Sequence, residues 1–159
     1  MAVPCLNVQQ CDSAEGHRAQ VSYLCAYTAV TCSHFLGQYT DNDLSYFRMN
    51  PPRGSKELKL ASDLPALGNA VQIIWQDKGF HCVRDGRVSR VQPADQSFSV
   101  FLGWHSPESL QGISGALCWN GAETQGVVTG VQRDTKSTHV WVQLVPADCI
   151  FKTNGYLSL

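Results

Sequence analysis

Ser22-Tyr23-Leu24-Cys25-Ala26-Tyr27-Thr28-Ala29-Val30-Thr31-Cys32-Ser33-His34-Phe35-Leu36-Gly37 is the stretch on which the reading of the fold turns. Cys25, Ala29, Cys32 and Leu36 recur at helical spacing, which predicts a helix with Ser22 as N-cap and Gly37 as its stop. Thr28, Val30 and Thr31 are β-branched and lower the local propensity, so packing has to hold this helix in place. In such a helix Cys25 sits in the first turn, beside unsatisfied backbone N–H groups and the positive end of the dipole, where a thiolate is favoured.

Outward from this stretch, Leu44 to Met49 is predicted as a short helix stopped by Asn50-Pro51-Pro52. A longer helix is predicted after Ser62, with Pro65 in its first turn, Leu64, Leu67, Ala70, Val71, Ile74 and Trp75 on one face, and an end near Gly79. Beyond Gly79 the hydrophobic period shifts toward two. Phe80 to Arg84 and Arg87 to Val91 flank Asp85-Gly86, a pair suited to a hairpin turn, and further strands are predicted at Phe98 to Trp104, Ile113 to Trp119, Val127 to Arg133, His139 to Val145 and Cys149 to Thr153. Helices followed by antiparallel strands make an α+β domain, with a helical part over about residues 20–79 and a β part over about 80–159.

The chain has 159 residues, 43% hydrophobic and 16% charged, enough for one core and so one expected domain over 1–159. A net charge of -1 with no basic run disfavours a nucleic-acid binder. Its apolar stretches fall short of the roughly 18 residues of a membrane span, and Met1-Ala2-Val3-Pro4-Cys5 lacks the zones of a signal peptide. Seven cysteines leave at least one free thiol in a monomer, the expected state, and the lack of signal-peptide zones with charged, loop-poor middle segments points to a cytoplasmic origin or to export by a route without a Sec-type signal. Cys5, Cys11, His17, Cys25, Cys32 and His34 are spaced irregularly, with no Cys-x2-Cys pair, so no metal is expected; no phosphate-binding glycine motif occurs, and no cofactor is expected.

Among the histidines, His139 is the expected partner for Cys25, because it opens the strand Thr138-His139-Val140-Trp141-Val142-Gln143-Leu144 after a polar loop. If the following strand returns through a turn at Pro146-Ala147, Asn154 faces His139 and can orient its ring. Asp148, near the turn and about 20 Å along a straight strand from His139, is the alternative third member.

These residues resemble the papain-like cysteine peptidases, especially compact bacterial ones of the staphopain sort. The likeness lies in Gln20-Val21-Ser22-Tyr23-Leu24-Cys25-Ala26-Tyr27-Thr28-Ala29, a helical region, His139 leading a late strand, and Asn154 after the next. It implies Cys25 as nucleophile, His139 as general base and acid, Asn154 as orienting residue and Gln20 as a donor to the oxyanion. The implied chemistry is acyl transfer at an amide of a protein or peptide: peptide cleavage, glutamine deamidation or transfer to another acceptor, as in a bacterial effector or toxin. The alternative is a non-catalytic SH3-like binding module, suggested by Cys118-Trp119-Asn120-Gly121 with Gly126-Val127-Val128-Thr129-Gly130-Val131.

Overall fold

The stretch from Ser22 to Cys32 forms a hairpin rather than a helix. In the computed structural model, which describes residues 3–104, 110–134, 136 and 139–149, β2 (Arg18–Cys25) turns into β3 (Thr28–Cys32), with Ser22 opposite Val30 and Tyr23 opposite Ala29. Ala26 and Tyr27 make the turn, both at positive φ (50° and 59°), the twist that joins adjacent antiparallel strands. Every residue of β3 is buried, so Thr28, Val30 and Thr31 find in a sheet the packing that their branched side chains prefer. β1 (Val8–Asp12) and β4 (Leu44–Arg48) flank this pair, giving an antiparallel sheet in the order β1-β2-β3-β4.

The rest of the chain closes on itself. β5 (Ala70–Asp77), β6 (Phe80–Gln92), β7 (Ser97–Trp104), β8 (Leu117–Trp119), β9 (Thr124–Arg133) and β10 (His139–Pro146) form a barrel in the order β10-β7-β6-β5-β8-β9. Val71, Ile73 and Trp75 point into it with Val100, Val128 and Val142, while Ile74, Leu117, Trp119 and Val127 face the first sheet and pack on Val8, Leu24, Val30 and Leu44. Trp119 is buried in that layer between sheet and barrel, so Trp119→Ala is expected to cost about 3–5 kcal/mol in denaturant unfolding.

The α+β, papain-like expectation is therefore wrong: among the described residues there is no α-helix, only short 3-10 turns. The helix predicted after Ser62 is β5, preceded by loop. β5 buries Val71, Ile73 and Trp75 in the barrel and Ile74 against the sheet, and this puts apolar side chains at 71, 74 and 75 as a helix would. The helix predicted at Leu44 to Met49 is β4, and its companion over 22–37 is the β2–β3 hairpin with the 3-10 turn that follows it.

The β half is closer to expectation, with three differences. Asp85-Gly86 lies inside the continuous strand β6, opposite Gln72 and Val71; the glycine is required there by close approach, since a Cβ would stand 2.6 Å from Val100 and 2.9 Å from the Phe101 carbonyl. The hairpin turn is instead at Lys78-Gly79. The strand expected over Ile113 to Trp119 is confined to β8, and Cys149 closes a 3-10 turn, Ala147–Cys149, while 150–153 lie outside the described residues. Cys118, Trp119, Val127 and Val128, which suggested a binding groove, are core.

Candidate functional site

The connection between β3 and β4 brings an imidazole and a carboxylate together. Cys32 ends β3, the 3-10 turn Ser33–Leu36 follows, and the chain returns to place Leu44 opposite Cys32. Asp43, at positive φ just before β4, is fixed by its own carbonyl, which accepts from the Ser33 N–H at 2.7 Å. One carboxylate oxygen accepts the His34 backbone N–H at 2.9 Å; the other is 2.5 Å from His34 Nδ1. The hydroxyl of Ser33, bonded to Thr40 at 2.8 Å and Ser45 at 2.7 Å, braces the base of the loop. The His34 side chain is 52% exposed, so its second ring nitrogen is open to a neighbouring group or a bound molecule.

A serine loop belongs to the barrel. Gly112-Ile113-Ser114-Gly115 precedes β8, with Gly112 at φ 82° and Gly115 at φ 95°. Three bonds pin it to β2: the Gln20 N–H donates to the Ser114 carbonyl at 2.7 Å, Gln20 Nε2 to the Gly112 carbonyl at 2.9 Å, and Ser22 Oγ to the Gly115 carbonyl at 2.6 Å. Gly115 has no room for a side chain, because a Cβ would fall 2.0 Å from the Gln20 carbonyl oxygen. That same oxygen accepts from Thr31 Oγ1 at 2.8 Å, on the strand that leads to His34. Gln20 is thus the spacer between the strand carrying the imidazole and the loop carrying the serine.

Two features of the loop bear on chemistry. Among the described residues, neither the Gly112 N–H nor the Ser114 N–H is donated to another group, so two amide dipoles are available beside the serine. Ser114 Oγ donates to the Thr129 carbonyl at 3.4 Å, a long bond that a rotation about one side-chain torsion would break.

The residues singled out from the sequence fall elsewhere. Cys25 ends a strand, so the helix N-terminus that was to stabilise its thiolate does not exist. Burial, and next the Glu57 carboxylate, push its thiol pKa up. Alkylation of Cys25 by iodoacetamide is accordingly expected to be slow at neutral pH and to rise only above the usual thiol range of ~8.5, read by peptide mass spectrometry. Gln20 donates both amide hydrogens, to the Gln76 and Gly112 carbonyls, and accepts from the Gln76 N–H, each at 2.9 Å. No amide hydrogen of its side chain is left for an oxyanion.

His139 opens β10 opposite Trp104, not opposite a later strand, with its ring edge-on to Phe101 at 5.4 Å and to Trp141 at 6.1 Å. It belongs to the barrel, whereas Cys25 belongs to the first sheet. Asn154 lies outside the described residues, and Asp148 lies within the 3-10 turn Ala147–Cys149. What sequence reasoning missed is the pair His34 and Asp43 and the serine between glycines. The available signals were a carboxylate nine residues after a histidine that closely follows the strand-forming run Thr28-Ala29-Val30-Thr31, and Gly112-x-Ser114-Gly115 ahead of Leu117-Cys118-Trp119.

No family model matches the sequence, and no curated protein matches it. Solved structures do. The inactive form of the M. tuberculosis protease Rv3671c superimposes with a TM-score of 0.71 at 13% identity, covering 98% of this chain and 91% of that one. Kallikrein-related peptidase 10 gives 0.74 at 10% identity with 99% of each chain covered, and the serine protease of a human pathogenic astrovirus gives 0.64 at 14% with 91% of each. The fold is therefore chymotrypsin-like, and the papain resemblance is overturned by both the neighbours and the all-β architecture.

Proposed function

We propose that this chain is a serine-type peptidase in which Ser114 is the nucleophile, His34 the general base and acid, and Asp43 the residue that orients the imidazole. The observation that carries the reading is the 2.5 Å pairing of His34 Nδ1 with Asp43, at the end of a strand held through Gln20 to the Ser114 loop. Histidine, aspartate and serine follow one another along the chain in the order used by serine peptidases built on chymotrypsin-type barrels. The solved neighbours named as proteases support the same class of chemistry on a protein or peptide substrate.

Asp43 accepts from Nδ1–H and fixes the tautomer, which leaves Nε2 to take the Ser114 proton as the hydroxyl attacks a carbonyl carbon. For this, Ser114 Oγ leaves the Thr129 carbonyl and turns to His34, a tightening common when substrate arrives. The Gly112 and Ser114 N–H groups receive the oxyanion, His34 returns the proton to the leaving amine, and water releases the acyl group from Ser114. Substrate has a place to lie: β8 pairs with β9 only as far as Val127, so beyond Val128 the edge of β9 beside Ser114 has no strand partner among the described residues and accepts an extended peptide.

The deciding test is turnover of an unfolded protein substrate that a fluorophosphonate stops stoichiometrically. Turnover insensitive to that reagent and stopped by a thiol reagent would overturn the serine assignment. Gln20→Leu, which removes the spacer's amide but keeps its bulk, is expected to lower kcat by about 10- to 100-fold with KM little changed, the cost of an ångström-scale misplacement. Circular dichroism of the variant checks that the sheet persists.

A further inference from the structure

Ser114 forms one wall of a cavity of about 200 Å³ whose other walls are Leu110, Gln111, Gly112, Ile113, Val131 and Arg133. Leu110 and Ile113 are buried in the barrel core and close the floor of the cavity, the surface it presents is largely polar, and Val131 exposes 38% of its surface beside it. The lining contains one ionic group, the Arg133 guanidinium, and no carboxylate. No carboxylate among the described residues pairs with Arg133, whereas Arg18, beyond Gly112, already faces Asp12 at 3.7 Å. Arg133 and Val131 lie on the part of β9 whose edge beside Ser114 is open.

From this geometry we infer that the cavity receives the side chain of the residue whose carbonyl Ser114 attacks, and that it selects an acidic one, glutamate before aspartate. The inference rests on the serine-peptidase reading and adds its specificity. An extended peptide running along β9 presents alternate side chains to one side, and the one next to the scissile carbonyl enters beside Ser114. A glutamate lays its two methylenes against Val131 and brings its carboxylate to a guanidinium that no carboxylate of the described chain occupies, in the planar two-bond geometry that arginine offers. A lysine or arginine there meets a like charge that no carboxylate of the described lining offsets, and a leucine supplies the guanidinium with no anion. Aspartate, one methylene shorter, reaches less well.

The test uses the full chain and a set of N-acetylated tripeptide nitroanilides that differ only in the last residue: Glu, Asp, Gln, Leu and Lys. Glu is expected to exceed its neutral isostere Gln in kcat/KM by at least about tenfold, the worth of one charge-assisted pair, and Lys to be the poorest. In Arg133→Gln the Glu-over-Gln ratio is expected to fall toward one while fluorophosphonate still labels Ser114. In Arg133→Glu the preference is expected to reverse in favour of Lys. Equal turnover of Glu and Leu by the unaltered protein, or a Glu preference that survives Arg133→Gln, overturns the specificity while leaving the peptidase reading intact. Failure of fluorophosphonate to label Ser114 in the unaltered protein overturns both. Raising the salt concentration supplies a second readout, because a charge-based preference shrinks with screening and a size-based one does not.

Discussion

Ser114→Ala is expected to reduce turnover on the order of a million-fold, to the level that binding and the oxyanion donors alone sustain. Deleting one oxygen removes the group that forms the acyl bond, and no other nucleophile of the loop replaces it. The substitution does not touch the framework. The serine side chain makes one long bond to the Thr129 carbonyl, whereas the loop is held through backbone carbonyls of Gly112, Ser114 and Gly115, all retained in alanine. An unchanged unfolding midpoint alongside lost turnover is therefore the expected result. Cys25→Ser in the same assay separates the two nucleophiles: turnover within about twofold of the parent is expected, since surface or half-buried substitutions away from the chemistry usually have small effects.

Asp43→Asn is the second large effect. The asparagine oxygen can still accept the His34 backbone N–H, but the amide nitrogen then faces Nδ1 and donates to it, which forces the proton onto Nε2 and leaves no base for Ser114. A buried orienting aspartate loses about 10⁴-fold in kcat on this change. The Asp43 side chain is 33% exposed, so water takes over part of its role, and a loss of about a thousand-fold is the expected value. The sign is specific to tautomer control: Asp43→Glu should recover part of the activity, and KM should move far less than kcat, because Asp43 does not contact substrate.

Much of the barrel is legible in the sequence because its strands alternate or end at turn residues. The strands expected at Phe98 to Trp104, Val127 to Arg133 and His139 to Val145 coincide closely with β7, β9 and β10. The first half misleads for a physical reason. β3 is buried on both faces and β5 buries Ile74 on the face opposite Val71, Ile73 and Trp75, so neither shows clean polar alternation and both satisfy helical spacing as easily as their own; β2 does alternate from Arg18 to Tyr23, ahead of the stretch over 22–37 that suggests a helix. The β-branched residues in Thr28-Ala29-Val30-Thr31 argue the other way.

The same misreading hides the proposed site. With 22–37 taken as a helix, Cys25 stands at a helix N-terminus and His34 at its frayed end; with a hairpin there, Cys25 recedes toward Glu57 and His34 meets Asp43. Ser114 falls inside the strand predicted over 113–119, where nothing marks a serine as reactive. The positive φ of Gly112 and Gly115 turns that segment into a loop, and glycines at such positions are the feature that sequence alone offers. Gln20 braces the Ser114 loop through its backbone and its side-chain amide, and both of its amide hydrogens are taken, by the Gly112 and Gln76 carbonyls.

Activation of Ser114 by His34 is tested most directly by site-resolved mass spectrometry of the full chain after brief exposure to a fluorophosphonate, with His34→Ala treated in parallel. A single adduct on Ser114, lost in His34→Ala while the fold persists, is the predicted result; no adduct, an adduct on another residue, or labelling of Ser114 that is indifferent to His34 would contradict it.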